Sequence, residues 1–277
     1  MSIGNESFCR VARQASAGTP VSASTSFHSV PFISETLVVD IPPLISDTIR
    51  ARYEEGPVSQ GIISAAGDTS FRLHPLVLGT FLYAVHGQSS STAVTSGFQH
   101  VFIPVQTTFH TDMHLNPYTL EVYRGTDESH LYHDAVANRL TLDISGGQFC
   151  RGSVGWICRT HSTTAASSLT FPSGDEFTWN QASLSLGAAA ATIFDNISFT
   201  IDNAMTAIPA LDGTKVNRRV QRSGVRTMRI SGTVDFPNND EFDKFRAGTE
   251  QQLDVTIASP VRISSGGLHE SLRIQVP

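Results

Sequence analysis

The sequence predicts a mainly β fold: tandem β-sandwich or half-barrel units, each with one short flanking α-helix. Three observations lead there. Runs of alternating or β-branched residues dominate from about residue 27 onward. Turn signals separate those runs, at Gly146-Gly147, Ser173-Gly174, Asp212-Gly213, Ser223-Gly224 and Gly266-Gly267. Only two segments combine a helical pattern with start and stop signals.

Residues 1–26 are rich in Ser, Ala, Thr and Gly, show no amphipathic period, and are expected to form an N-terminal arm. Strands are expected over TLVVDI (Thr36 to Ile41), TLEVY (Thr119 to Tyr123), RLTLDI (Arg139 to Ile144) and ASLSL (Ala182 to Leu186). NISFTI (Asn196 to Ile201), TMRISGTVDF (Thr227 to Phe236), LDVTIA (Leu253 to Ala258) and SLRIQV (Ser271 to Val276) follow the same pattern. The first helix should begin at Pro75, a residue suited to the first helical position, and stop at Gly87. Its Leu76, Leu78, Phe81, Leu82 and Val85 are apolar on several sides, so it should be deeply buried, with Leu78, Phe81 and Leu82 as packing residues. In the second helix Asn238 can cap and Glu241 can complete a capping box. Asp240 and Glu241 at its start and Lys244 and Arg246 near its end suit the helix dipole. Phe242 and Phe245 lie on one face as packing residues, and Gly248 supplies a left-handed stop.

The order strand, long excursion, strand, helix, strand occurs twice. Each helix follows a strand containing Gly-x-x-x-Phe, at Gly67 to Phe71 and at Gly232 to Phe236. Each of those strands follows a long polar excursion, Pro42 to Gly61 and Asp202 to Gly224. An internal duplication explains this, with a seam in the segment 161–174, a first unit over 27–165 and a second over 166–277.

The 277 residues are 40% hydrophobic and 16% charged, with a net charge of -6 and a pI near 5.9. That composition excludes a protein that grips nucleic acid through its phosphates, but not one that lets DNA slide past. No stretch approaches the roughly 18 apolar residues of a membrane span, so no membrane insertion is expected. The N-terminal stretch lacks the apolar segment of a secretory signal. Three cysteines, an odd number, point to a reducing compartment, with Cys150 and Cys158 as buried thiols.

Nothing in the sequence asks for catalysis. His110 and His114 are four apart, but Pro117 and the Thr-rich surroundings argue against a shared helix face. His130 and His133, near a hairpin turn, have no third ligand at zinc spacing except Asp134. Nucleophile-elbow, phosphate-loop and dinucleotide patterns are absent. Glu54-Glu55 and Asp240-Glu241 are best taken as solvated charge. No catalytic, metal or cofactor site is therefore expected.

The two excursions are the functional candidates, since loops of such length in a compact β chain usually serve a purpose. The second concentrates Lys215, Arg218, Arg219, Arg222, Arg226 and Arg229, six of the chain's 19 basic residues. No aromatic residue lies between Ile201 and Val234, so a stacking platform for single strands is missing and subunit contact is the better reading. The expected contacts are Ile49, Arg50, Arg52, Tyr53, Glu54 and Glu55 in the first excursion. In the second they are Ile208, Lys215, Arg218, Arg219 and Arg222. Both excursions are expected to be poorly ordered in a free subunit and ordered by its neighbours.

With these parts assembled, the chain resembles the tail tube proteins of long-tailed bacteriophages, of the larger two-unit type. The resemblance is carried by IGNESFCRVARQASAGTP, ending at Gly18-Thr19-Pro20, by FISETL (Phe32 to Leu37) and by AGDTSFRLHPLVLGTFLYAVHG (Ala66 to Gly87). YTLEVYRG, YHDAVANRLTLDISGG and FDNISFTIDNAM resemble the later strands of the two units. It implies a structural virion protein that polymerises into stacked rings, the conduit for genome delivery. Sheet edges would be completed by neighbours, with loops and arm bridging rings and an acidic lumen favouring DNA as passing cargo. If each chain carries two units, three copies complete a pseudo-six-fold ring; if one, six copies do. The implied partners are the chain itself and the tape measure, terminator and distal tail proteins. The implied setting is a long, sheathless tail, assembled in the host cytoplasm. Other readings are another ring component of the same tail, terminator or distal, and a β-sandwich carbohydrate-binding module. The 8% aromatic content, mostly Phe, argues against the last.

Overall fold

The computed structural model describes residues 6–21, 27–48, 56–94, 97–106, 115–125, 128–167, 169–187, 189–191, 193–235, 239–262 and 269–276. Its first strands are β1 (Phe8–Arg13), β2 (His28–Val30), β3 (Phe32–Glu35) and β4 (Val38–Asp40). A short hairpin follows, β5 (Pro43–Ile45) and β6 (Val58–Gln60), then β7 (Ser64–Arg72) and the helix α1 (Pro75–His86). A ribbon of β8 (Gly87–Val94) and β9 (Gly97–Pro104) leads to β10 (Tyr118–Tyr123), β11 (Glu128–Ser145), β12 (Arg151–Cys158) and β13 (Thr160–Ala165). The C-terminal part holds β14 (Ala182–Leu186), β15 (Ala189–Ala190), β16 (Phe194–Asp202) and the hairpin β17 (Met205–Ile208) with β18 (Arg219–Arg222). It ends with β19 (Thr227–Val234), α2 (Asp240–Ala247), β20 (Leu253–Arg262) and β21 (His269–Val276).

The mainly β class is therefore what the chain adopts, with two short α-helices. The main sheet runs β3 and β4, β7, β12, β11, β16, β19, every neighbouring pair antiparallel. A side sheet runs β2, β1, β10, β11, β13. Strand β11 belongs to both. Its first half pairs with β10 and β13 and its second half with β12 and β16. The change of sheet occurs around Asp134, whose φ of 50° turns the strand, and a bulge follows at Ala137 to Arg139. A third sheet, β15, β14, β20, β21, lays Leu253, Val255 and Ile257 onto the same core.

The core is aromatic where the layers meet. Phe71 stacks on Phe81 at 4.2 Å, and Trp156 leans against both Phe81 and Tyr118. Helix α1 follows the sequence signals closely. Pro75 opens it, the His74 ring caps the Leu76 N–H, and Gly87 closes it at φ 80°. Leu78, Phe81 and Leu82 are buried as expected, against β11 with β2, β9 and β21 around them.

Three expectations need correction. The arm expected over 1–26 is not an arm in its central part, because β1 lies inside the side sheet with Phe8, Cys9, Val11 and Ala12 buried. A strand buried on both faces has no alternation, so the pattern was invisible. The expected units 27–165 and 166–277 share the main sheet, β11 of the first pairing along seven residues with β16 of the second. The excursions contain hairpins, not loose loops: β5 pairs with β6, and β17 with β18, burying Met205 and Val220. Finally, Phe242 and Phe245 of α2 are not buried among the described residues; they are 49% and 80% exposed. Gly248 does end that helix at φ 64°, whereas the proposed cap Asn238 lies outside the described residues.

All three cysteines are buried free thiols, as the sequence suggested. Among the described residues no cluster of His, Cys, Asp or Glu could hold a metal ion, and no helix is long and apolar enough to cross a membrane.

Candidate assembly surfaces

Three kinds of surface are left open by the fold. The first is the pair of edges of the main sheet. Among the described residues, β3 and β4 at one side pair only with β7, and β19 at the other only with β16. Alternating the strand direction from β3 across to β19 makes the two edge strands run in opposite senses. An edge strand presents unfilled N–H and C=O groups and is a template for another chain. Both edges also carry exposed apolar residues, Ile33 and Val38 on one and Met228 and Ile230 on the other.

The second is the outer face of the main sheet. Side chains alternate, so Phe71, Val154, Trp156, Leu140, Leu142, Ile197 and Phe199 point into the core. The register puts Ser34, Thr36, Ser70, Ser153, Thr141, Ser198, Thr200, Ser231 and Thr233 on the opposite face. Its charges are Asp40, Asp68, Asp143 and Asp202 against Arg72, Arg139, Arg151 and Arg229, four of each sign. Arg139 donates to Asp202 at 3.1 Å across one strand pair. This face is therefore polar and balanced, not acidic as the net charge of -6 suggested.

The third is the pair of excursions. Leu44, Ile45 and Val58 of the β5–β6 hairpin are all exposed, an apolar group that the other described residues leave uncovered. The intervening Ile49, Arg50, Arg52, Tyr53, Glu54 and Glu55 lie outside the described residues. The structure brings the base of the first excursion against the loop that joins β17 to β18 in the second. Ile63 bridges Val216, the Ile63 N–H donates to the Lys215 carbonyl at 2.7 Å, and Lys215 Nζ donates to Gln60 Oε1 at 2.7 Å.

The basic cluster does not form one patch. Lys215 and Arg218 are exposed, and Arg218 leads into the hairpin strand by donating its N–H to the Ile208 carbonyl. Arg219 and Ile208 face each other across the hairpin and are half-buried, with Arg219 Nε buried. Arg222 and Arg226 turn inward, and burial lowers the guanidinium pKa of each, Arg226 to about 10. Arg226 donates to Asn203 Oδ1 at 2.7 Å and to the Val105 carbonyl. Asn203, fully buried, donates in turn to the carbonyls of Val85 and Ala137. Arg226, through Asn203, holds the base of the hairpin to α1 and β11.

Two ion-pair knots, one buried and one half-buried, position these surfaces, and the sequence reading missed both. Asp134 accepts the Gly18 N–H at 2.8 Å and an Arg159 N–H at 3.1 Å, while Arg159 also donates to the Asn217 carbonyl. The kink in β11 thus fixes the end of the N-terminal segment and the second excursion together. Arg124 clamps Glu35 with two donors and reaches the Leu37 carbonyl, locking the edge strand β3 against the side sheet. Pairs so far apart in sequence leave no spacing signal. His130 and His133 lie within β11; His130 Nδ1 sits 3.0 Å from His161 Nε2, and His133 bonds Ser162.

No curated protein sequence matches the chain at a significant level. A family model described as phage tail tube protein matches residues 4–267. That span takes in both sheet edges, both excursions and both helices, so the chain belongs to the phage tail tube protein family, a structural protein family of the virion tail.

Proposed function

We propose that the chain is the repeating subunit of the tube wall, joined head to tail through the edges of its main sheet into rings that stack as the conduit for the genome. The observation that carries this is the main sheet itself, with two open edges of opposite direction and one uncovered polar face. A β19 edge meeting the β3–β4 edge of the next copy pairs antiparallel and continues the alternation. Such a contact joins two different patches, and it closes when the rotation divides a circle. Closure removes every edge, which is the barrel solution to edge exposure.

The uncovered face then lines the lumen. Its serines, threonines and balanced charges give DNA phosphates no net cationic field to hold them, so the duplex passes as cargo. The β5–β6 tip with Leu44, Ile45 and Val58, and the segment from Ile49 to Glu55, bridge to the next ring. Other tail proteins, tape measure, terminator and distal, meet the tube at its interior and ends. Assembly takes place in the host cytoplasm, and the tail is long and sheathless.

The internal duplication supports three copies per ring over six. Phe32 to Asp40 and Phe194 to Asp202 are equivalent stretches of the main sheet. Each starts with Phe and shifts register at the next residue, Ile33 and Asp195. Each buries an apolar residue at the same place, Leu37 and Phe199, and ends in Asp. Each leads through a hairpin to an antiparallel partner strand and a helix. Electron microscopy of the purified protein tests the whole reading. Stacked rings of three chains with a pseudo-six-fold outline are expected, the two units related by about 60° about the tube axis. Six chains per ring would overturn the two-unit reading, and a chain that stays monomeric at high concentration would overturn the tube.

A further inference from the structure

A cavity of about 540 Å³ opens at one end of the main sheet, lined among others by Pro31, His74, Phe149, Phe171, Asp175 and Glu176. Its walls are aromatic and partly open: Phe149, with the Arg72 guanidinium 4.1 Å above one side of its ring, is 43% exposed and Phe171 52%. Its rim is acidic, with Glu176 only loosely held by Arg72 at 3.4 Å. Its floor holds a buried donor. His74 Nδ1 accepts the Leu76 N–H, so the ring proton sits on Nε2, and that atom is buried with no hydrogen-bond partner. A buried donor without an acceptor is costly, so the cavity suits an occupant that is aromatic, basic at its edge and able to present a carbonyl.

Helix α2 has that chemistry. Phe242 and Phe245 lie on one exposed face, and Arg246 beside them is 70% exposed. In the last turn of α2, Gly248 and Thr249 cap the Phe245 and Lys244 carbonyls, so the carbonyls it can offer are those of Arg246 and Ala247. The topology also puts helix and cavity at the same end of the sheet. Phe32 pairs with Phe71, Arg72 with Arg151, Asp143 with Ser198, and Phe194 with Val234, so the start of β3 and the end of β19 share one end. The cavity reaches from Pro31 at the start of β3 to Phe149 at the β11–β12 turn; α2 begins just after the end of β19, the far edge of the sheet. Joining copies edge to edge brings the α2 of one towards the cavity of the next.

We propose that α2 of one copy docks into this cavity of the next copy around the ring, with Phe245 entering between Phe149 and Phe171 and Arg246 facing Asp175 and Glu176. This rests on the edge-to-edge ring proposed above. It accounts for a helix whose apolar face the single chain leaves bare.

The test uses the full chain carrying Phe171→Cys and Phe245→Cys together, assembled into tubes and treated with a short bis-maleimide. The native cysteines are buried, with burial pushing Cys9 up to about 12 and Cys150 to about 11, so the introduced thiols are the reactive ones. A chain-to-chain ladder that ends at the ring number is expected, with no ladder from either single-cysteine variant. Tubes seen by microscopy that give no ladder overturn the docking and leave the ring standing. A wild-type chain that never assembles overturns the ring, and the docking with it. A second arm covers a double variant that fails to assemble. Arg246→Glu should raise the polymerisation threshold about tenfold, and adding Asp175→Arg should restore most of that loss. Failure to restore it overturns the proposed contact.

Discussion

Helices α1 and α2 hold the same place in the chain order and live in opposite surroundings. Each follows a strand that follows a hairpin, and each ends at a glycine with positive φ, Gly87 and Gly248. Yet α1 buries Val77, Leu78, Phe81, Leu82, Ala84 and Val85, whereas α2 leaves Phe242 and Phe245 exposed. The strand before each helix differs in the same sense. In β7, Ala65, Thr69 and Phe71 are buried, while every residue of β19 but Val234 is exposed. A buried Phe contributes about 1.5–3 kcal/mol relative to an exposed one. The first half thus collects its apolar burial within the chain, whereas the second half leaves Phe242 and Phe245 exposed. In the proposed ring of duplicated units, a neighbouring copy would supply the burial that the second half lacks.

The largest effect that can break this comparison is a pair of truncations. Phe81→Ala should lower the stability of the unassembled chain by about 3–5 kcal/mol, because it empties a site between Phe71 and Trp156. Phe245→Ala should change it by less than about 0.5 kcal/mol. Urea unfolding of both variants measures the difference. Equal losses would mean that α2 packs inside its own chain.

A smaller effect comes from the two glycines of the Gly-x-x-x-Phe strands. A Cβ on Gly67 would meet the Thr36 carbonyl oxygen at 2.4 Å, and one on Gly232 would meet the Asn196 carbonyl oxygen at 2.6 Å. In both halves glycine lets the partner strand approach closely. Gly67 sits between two paired neighbours, β4 and β12, and cannot shift; Gly232 sits on the open edge and can. Gly67→Ala should therefore cost about 1–3 kcal/mol and Gly232→Ala clearly less. A Gly232→Ala loss as large as that of Gly67→Ala would show that β19 is held as rigidly as β7.

The glycine motif, both helices and eight strands could be read from the sequence because each has a period or a punctuation mark. What could not be read has a physical reason. Strand β1 is buried on both faces, and the β8–β9 ribbon is exposed on both, so neither alternates. Of the 18 residues of β11 only Arg139 to Ile144 gave a strand signal, since the turn at Asp134 breaks the period. Among the candidate contacts, Arg218 and Arg222 looked alike in sequence, but the hairpin exposes one and turns the other inward. The aromatic cavity draws on Pro31, His74, Phe149 and Phe171, a set that only the fold assembles.

Acid should also separate the halves. His86, His130, His133 and His161 all belong to the first, and burial lowers the pKa of each, with the charge of Arg226 adding for His86 and that of Arg124 for His130 and His161. Their neutral forms are favoured in the folded chain. The unfolded chain then binds more protons just below the ordinary histidine value of about 6.5, and stability falls as pH drops from there. Unfolding midpoints measured from pH 7 to pH 5 should decline, and hydrogen exchange should rise first in β11 and β13. A flat profile, or loosening that begins in β16 and β19, would contradict this assignment.

The smallest effect on the isolated chain should come from Arg218→Glu, and it sharpens the comparison most. Arg218 is exposed and makes only its backbone bond to Ile208 among the contacts that hold the hairpin, so its charge contributes little to folding. Arg219, half-buried beside it, is a poorer probe, because replacing it would disturb the hairpin as well as its surface. The unfolding midpoint of Arg218→Glu should lie within about 0.5 kcal/mol of wild type. Its polymerisation threshold, read by sedimentation, should rise severalfold if the second excursion meets an acidic surface on a neighbouring copy. Salt should weaken wild-type assembly in the same direction, since exposed ion pairs are screened over about 8 Å at physiological ionic strength. An unchanged threshold would remove the excursion from the interface and leave the sheet edges and α2 to carry the ring.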